Sequence, residues 1–258
     1  MTQHLAPATA RRKPIFQVSG LVKVYPTAAG GFTALNGISF DAYPGEFLGI
    51  VGKSGAGKTT LLNAITGVSS ITSGEVLFGA NGHTLLIHTR NENQRARWRG
   101  ANVGIVYQSF ELLPQLDLID NIAMPHDLSG RYRPSISVEL AMELLDRVEL
   151  AEHAYKLPAH VSGGQKQRVA IARALANDPP VIVADEPTGN LDSVTAEHIF
   201  HIFEGLVAQG KTIIMVTHDR DLMPRFSRVI EIADGEIVAQ TSPPSVPPAG
   251  PGGIGESA

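Results

Sequence analysis

The 258-residue chain contains no cysteine, which excludes disulfides and thiolate-bound metal and agrees with a reducing compartment. It lacks any run approaching the ~18 apolar residues that a membrane-spanning helix needs. Any membrane step is therefore expected to run through another polypeptide. It also lacks a basic block, and its formal net charge is −4, so bulk electrostatics point to no nucleic-acid partner. One small cluster, Arg11-Arg12-Lys13, stands where an export signal could begin. The PIFQVSGLVKVYP that follows has polar residues where an unbroken apolar core should be, so residues 1–13 read as a flexible leader. What remains is an ordinary globular composition, 43% hydrophobic, enough for one large domain or two small ones.

The first forty residues read as paired strands. Ile15–Tyr25 and Thr33–Tyr43 are rich in β-branched and aromatic residues, with turn chemistry between them at 26–31. Pro44-Gly45 turns the chain into a short apolar run, Glu46–Val51, suited to a buried strand. A glycine-rich loop follows, and a helix is expected from about Lys58. The middle, from about Gln94 to Glu152, changes character. VELAMELLDRVEL (Val138–Leu150) sets Leu140, Leu144, Leu145 and Val148 on one helical face. Strand-helix alternation then returns. VIVAD (Val181–Asp185) and TIIMVT (Thr212–Thr217) read as parallel strands buried on both faces, separated by a helix of about 17 residues. This is an α/β pattern with a helical insertion. Residues 241–258, dominated by Pro, Gly and Ser, read as a disordered tail. No internal repeat is visible, so one chain carries one set of motifs.

GKSGAGKT (Gly52, Lys53, Ser54, Gly55, Ala56, Gly57, Lys58, Thr59) fits G-x-x-x-x-G-K-[ST] between a strand and a helix, with Thr60 next. Glycine lets the backbone wrap an anion so that successive N–H groups point at phosphate oxygens, and the helix start adds partial positive charge. Lys58 is placed to reach the β- and γ-phosphates and the Thr59 hydroxyl to ligate Mg²⁺. VIVADE then ends in Asp185 and Glu186, at the strand end where open α/β sheets carry ligand chemistry. Asp185 suits the Mg²⁺ shell, and Glu186 suits a general base or water-orienting group. An acidic loop start would explain that pair by itself, but beside a phosphate loop the chemical reading is stronger.

Between those two sites lies VSGGQKQRVAIARAL (Val161–Leu175). With GKSGAGKT, ADEPTGNLD (Ala184–Asp192) and VTHD (Val216–Asp219), it closely resembles the ABC ATPase family from about Ile15 to Gln240, with motifs in matching order and spacing. The resemblance implies a P-loop NTPase core with a parallel sheet, an N-terminal antiparallel β subdomain, and a helical subdomain inserted over about 94–176, in a domain spanning 14–240. It implies ATP and Mg²⁺ as cofactors, and a homodimer packed head-to-tail with two ATPs sandwiched between phosphate loop and signature. Ser162, Gly163, Gly164 and Gln165 would then contact the partner's ATP through a second anion-binding helix start. An ordinary capped helix accounts for Ser162 but leaves two glycines in a first turn where they cost stability. Residue by residue, Tyr25 resembles the aromatic that stacks on adenine, a contact of roughly 1 to 3 kcal/mol by analogy with base stacking. Gln108 resembles the Q-loop glutamine that senses metal and attacking water. His218 resembles the switch histidine at the γ-phosphate, and Asp192 the D-loop acid that communicates across the dimer.

The stretch SFELLPQLDLIDNIAMP (Ser109–Pro125) and the form ADEPTGNLD look like the lipoprotein-release and macrolide-export branch. That likeness implies a separately encoded membrane permease and a cytoplasmic position on the membrane's inner face. Phe110, Leu112, Leu113 and Leu116 are expected to form its docking surface, with core packing as the competing explanation. The alternative is an ABC ATPase outside transport, such as a cell-division-type signalling complex. DNA-repair types need coiled-coil or zinc modules, and translation types usually carry two ATPase domains. Val161 departs from the family's usual leucine. Asn81–Gly100 has no assigned role, its arginines reading as a solvated face. His198 and His201 share a helix at i, i+3, yet no completing acid is apparent, so both read as surface residues.

Overall fold

The computed structural model describes residues 13–28, 30–80 and 83–241. The leader and the tail lie outside these apart from Lys13 and Thr241. Strands β1 (Phe16–Thr27) and β2 (Gly30–Ala42) form an antiparallel hairpin paired as far as Thr27 with Gly30. The pairing runs past the expected turn residues. Near its tip β1 is bonded only to β2, because its pairing with the next strand of the sheet stops at Val22. Pro26, lacking an N–H, therefore interrupts no second ladder. Strand β3 (Phe47–Val51) leads through the glycine-rich loop into α1 (Lys58–Ile65). β4 (Ser73–Ala80) and β5 (His83–Leu86) complete a four-stranded antiparallel sheet in the order β2-β1-β4-β5.

Helix α2 (Glu92–Asn102) starts on a reciprocal capping box between Asn91 and Gln94. It buries Trp98 against Phe16 and Phe78, with ring centroids 6.3 and 5.2 Å away. Its arginines are not simply a solvated face. Arg90 and Arg97 are exposed, but Arg99 donates to the carbonyls of Thr66 and Gly67 at the C-terminal end of α1. Arg95 is paired with Glu92 at 2.6 Å. α2 thus fastens the back of α1, where a cation complements the helix dipole.

Strand β6 (Val103–Val106) follows and belongs to the main sheet. The stretch 94–176 is therefore not wholly a helical insertion; the excursion begins after this strand. It contains α3 (Leu118–Leu128), α4 (Pro134–Arg147) and α5 (Gly163–Leu175). α4 begins four residues before the expected Val138, with Pro134 in its first turn. It stops early because Val148 leaves helical geometry and Glu149 takes φ 58°. Leu144, Leu145 and Val148 are buried as expected. Asn121, fully buried, ties down the loop before α3, accepting from the Leu113 N–H and donating to the carbonyls of Leu113, Leu116 and Asp117.

The chain closes with β7 (Val181–Asp185), α6 (Ser193–Ala208), β8 (Thr212–Thr217), β9 (Arg228–Ala233) and β10 (Glu236–Gln240). The main sheet runs β10-β9-β3-β8-β7-β6, parallel except for β10. Alternate residues of β3, β7 and β8 feed two cores. Phe47, Val51, Ile182, Ile213 and Met215 face the helices α3 to α6. Leu48, Ile50, Val183, Ile214 and Val216 face α1 and the antiparallel sheet. Burial on both faces is what makes these strands read as unbroken apolar runs, each buried Val, Leu or Ile contributing about 1.5–3 kcal/mol. Arg228 pairs with Glu46 at 2.5 Å and also donates to the Asp41 carbonyl, bolting the main sheet to the end of β2.

Candidate functional site

The site forms where β3 meets α1. A methyl on Gly52 would lie 2.3 Å from the Ile232 carbonyl oxygen, and one on Gly57 would lie 2.6 Å from that of Ala34. Both positions therefore exclude a side chain, and Gly57 also takes φ 97° as the N-cap of α1. Gly55, at φ 83°, faces open space. Ala56 is buried beneath the loop, while Lys53 and Ser54 are exposed. Lys58 is buried, donating to the carbonyls of Gly52 at 2.7 Å and Lys53 at 3.0 Å. It also pairs with Glu186 at 3.3 Å.

Glu186 sits just past β7 at φ 43°, its N–H bonded to the Val216 carbonyl of β8. Its second carboxylate oxygen is 2.8 Å from His218 Nδ1. Lys58, Glu186 and His218 thus form one polar chain across the ends of α1, β7 and β8. Next to it, the Thr59 hydroxyl donates to Asp185 at 3.2 Å. Burial raises the Asp185 pKa most, with the Glu186 charge adding, while the Thr59 hydrogen bond and Lys58 oppose the rise. A methyl on Gly189 would come 3.1 Å from Gln108 Nε2 and 3.6 Å from a Glu186 carboxylate oxygen, so both side chains end beside Gly189.

A cavity of about 580 Å³ opens over this corner. The loop supplies Ser54, Gly55, Gly57, Lys58, Thr59 and Thr60 to its lining. Tyr25, Gln108, Glu186 and His218 line it from other elements. Ser162, Gly163, Gly164, Gln165 and Asp192 do not. Ser162 caps α5 in a reciprocal box with Gln165, at 3.3 and 2.9 Å. Asp192 caps α6 through Thr195, whose N–H and hydroxyl hold its carboxylate below the ordinary aspartate range. A methyl on Gly164 would lie 2.3 Å from Thr195 Cγ2, whereas one on Gly163 would meet its nearest neighbours at an ordinary 3.8 Å. Gly164 therefore has a packing reason to be glycine, and Gly163 has none inside this chain.

A family model described as ABC transporter matches residues 35–189. An uncharacterized ABC transporter ATP-binding protein of Mycobacterium tuberculosis is 40% identical over 228 residues, 88% of this chain and 90% of that protein. The lipoprotein-releasing system ATP-binding protein LolD of Hyphomonas neptunium is 40% identical over 227 residues, 88% of this chain and 97% of its own. Among solved structures, the dimeric structure of MJ0796, a bacterial ABC transporter cassette, superposes with a TM-score of 0.81. It has 35% identity and covers 90% of this chain and 100% of that one. A dimeric post-hydrolysis state of the same cassette, bound to ADP and Pi, gives 0.81 at 34%.

The chain belongs to the ABC transporter family. It is an ATP-hydrolysing subunit on the branch that the LolD likeness marks. The residues of this ABC cassette fit a nucleotide: the loop glycines shape a cradle that β-carbons would fill, beside a lysine. The Thr59 hydroxyl and Asp185 carboxylate are hard oxygen donors of the kind Mg²⁺ takes. Sequence reasoning missed Phe32, 58% exposed, directly opposite Tyr25 in the hairpin and lining the same cavity. Only the hairpin register reveals it. It also missed Lys23, buried behind Tyr25 with its ammonium 4.8 Å from the ring centroid. His198 and His201 are exposed as read, but acids do stand beside them: Glu197 and Glu204 lie 3.2 and 3.0 Å from His201, and Glu149 3.6 Å from His198. Among the described residues no three such side chains form a metal cluster, and no helix is long and apolar enough to cross a membrane.

Proposed function

We propose that two copies of this chain close head-to-tail around two ATPs, and that closure and reopening drive a separately encoded membrane permease of the export or lipoprotein-release type. The observation that carries this reading is the split of the anion-binding groups. Lys58 and its loop line one cavity, while the Ser162–Gln165 helix start lies outside it and opens elsewhere. A second copy related by a two-fold axis would bring the missing half to each cavity. The dimeric form of the MJ0796 cassette supports this. With Ser162–Gln165 on the partner's phosphates, Gly163 acquires the reason it lacks within one chain: its bare backbone can approach an anion.

Bound ATP with Mg²⁺ supplies the phosphoryl bond to be broken and charge neutralisation around it. The chain's own residues do the rest. Tyr25 stacks on the purine. Lys58 leaves the Gly52 and Lys53 carbonyls for the phosphates, freeing Glu186 Oε1 from its ion pair. Glu186 then orients water and takes its proton as the water oxygen bonds to the γ-phosphorus and the bridging oxygen leaves on ADP, and His218 turns to the γ-phosphate. Thr59, Asp185 and Gln108 would hold Mg²⁺, which would neutralise charge on the phosphates. Asp192 reports the state of one site to the other.

The permease contact falls beside Gln108. A groove of about 280 Å³ there is lined by Tyr107, Glu111, Met124, Pro125, Arg173 and Asn177 among others. None of the apolar residues expected to form the dock lines this groove: Leu113 is 41% exposed, Leu112 packs against the core, and Phe110 and Leu116 are half-buried. A short helix from a membrane subunit fits such a groove, which would hold the ATPase on the cytoplasmic face of its membrane. Glu186→Gln tests the chemistry. ATP binding is expected to persist while turnover falls roughly 100-fold or more and a dimer accumulates in size-exclusion chromatography; unchanged turnover would sink the role given to Glu186. Affinity isolation from detergent-solubilised membranes tests the partner, since a soluble dimer with no co-purifying permease would overturn the coupling.

A further inference from the structure

We infer that Arg173 is a positioning residue: it holds the strained turn after Gln108 and ties that turn to the helix that begins at Ser162. Phe110 and Glu111, two and three residues after Gln108, are consecutive non-glycine residues at φ 64° and 49°. Side chains with a β-carbon rarely enter this region, and they stay there only where surroundings impose it. Here the Arg173 guanidinium donates one nitrogen to the Glu111 carbonyl at 2.5 Å and another to the Phe110 carbonyl at 2.8 Å. A planar fork suits two acceptors presented together, and lysine cannot copy it. The turn is also closed by its own backbone, Phe110 N–H to Tyr107 and Glu111 N–H to Ser109, and the Asn190 side chain donates to the Gln108 carbonyl at 3.5 Å.

Arg173 stands near one end of α5, and the turn also reaches the other end. A methyl on Gly163 would touch the Phe110 ring at 3.8 Å. Between these ends Val169, Ala170, Ile171 and Ala172 are fully buried, so α5 is seated in the core along its length and any shift of it would be a shift of the whole helix. Any displacement of α5 reaches the Gln108 turn through the guanidinium and the Phe110 ring together. The same guanidinium walls the 280 Å³ groove with Tyr107 and Glu111. Whatever fills the groove therefore presses on the side chain that sets the turn. This rests on the role proposed for Gln108.

The test compares Arg173→Met, Arg173→Lys, the double variant Arg173→Met with Glu111→Gly, and Gln108→Ala. Each is read for kcat, KM, nucleotide affinity and thermal midpoint. Arg173→Met is expected to lower kcat roughly tenfold to a hundredfold, as misplaced positioning groups do, with nucleotide affinity within about twofold of the parent. Arg173→Lys should regain only part of the rate. Glycine adopts a left-handed φ freely, so Glu111→Gly should raise kcat several-fold in the Arg173→Met background. If that background misfolds, Arg173→Lys with and without Glu111→Gly carries the same comparison. A kcat loss that follows the folded fraction alone, or no gain from Glu111→Gly, overturns the inference. Loss in Gln108→Ala with an unaffected Arg173→Met overturns it while leaving the Gln108 role standing. An unaffected Gln108→Ala overturns that role first.

Discussion

Among the described residues, α1 and α5 both carry glycine at their starts, α1 in the loop and cap before it and α5 in its first turn, and they are finished in opposite ways. α1 starts at Gly57, in left-handed geometry and with no side-chain cap. Its first-turn N–H groups have no partner within the helix, and a lysine is buried beside them. α5 starts at Ser162, with its third N–H and its cap N–H both satisfied by the Ser162–Gln165 box. The first arrangement gives up capping energy to leave donors aimed at a ligand. The second is self-contained as a helix and spends glycine where a neighbour crowds it, at Gly164, and where none does, at Gly163. On the proposed reading, an anion site that must bind alone is left open, and one that need only complete another chain's site is capped.

The comparison is broken most strongly at the open end. Lys58→Met removes a charged donor, and charge-assisted hydrogen bonds of this kind contribute about 1.5–3 kcal/mol. ATP affinity, read by fluorescent-nucleotide titration, should fall roughly tenfold to a hundredfold. At the closed end, Gly164→Ala drives a methyl into Thr195 and should destabilise by about 1–3 kcal/mol, as overpacking does. Gly163→Ala meets no such obstacle. It should leave the denaturation midpoint unchanged or higher, alanine being the better helix former by about 1 kcal/mol, while ATP turnover falls. Equal behaviour of the two alanine variants would erase the distinction drawn between those glycines. Ser162→Ala should cost about 1 kcal/mol as a lost N-cap, with turnover dropping further than this loss of fold explains.

The smallest effect belongs to Asp185. Its folded pKa is raised chiefly by burial, so the fold favours the protonated form. That contribution is present below the ordinary aspartate pKa and is lost as pH rises through the raised value. Asp185→Asn should therefore raise the thermal midpoint slightly at pH 7, with the gain disappearing in acid, and should weaken Mg²⁺-dependent turnover. A lower midpoint at pH 7 would show that its bond with Thr59 outweighs its burial.

Much of this was legible before any fold was known. The phosphate loop and the acidic pair after β7 are local patterns, set by backbone needs and strand ends that read directly from residue types, whereas the histidine after β8 was singled out only by the family resemblance. The twofold-buried strands were legible because burial on both faces removes alternation. The hairpin overran its expected ends because strand pairing at a sheet edge tolerates proline, a fact about neighbours. β6 hid inside a stretch that looked helical because four residues carry too little period to oppose the helices around them. Arg95 and Arg99 were misread because charge says nothing about what a side chain leans on.

Alone, then, the sequence determined which chemistry this chain carries, since glycines and a lysine at fixed spacing specify an anion site within a few residues, and an acidic pair marks the end of a distant strand. It determined the two-core strand pattern for the same short-range reason. Only the tertiary structure decided that Phe32 faces the cavity beside Tyr25, that Gly164 is crowded while Gly163 is not, and that Arg173 grips the turn after Gln108. Each of these joins residues that the chain separates, 62 positions apart for Arg173 and Glu111, and long-range contacts are written in packing and register, which no local pattern records.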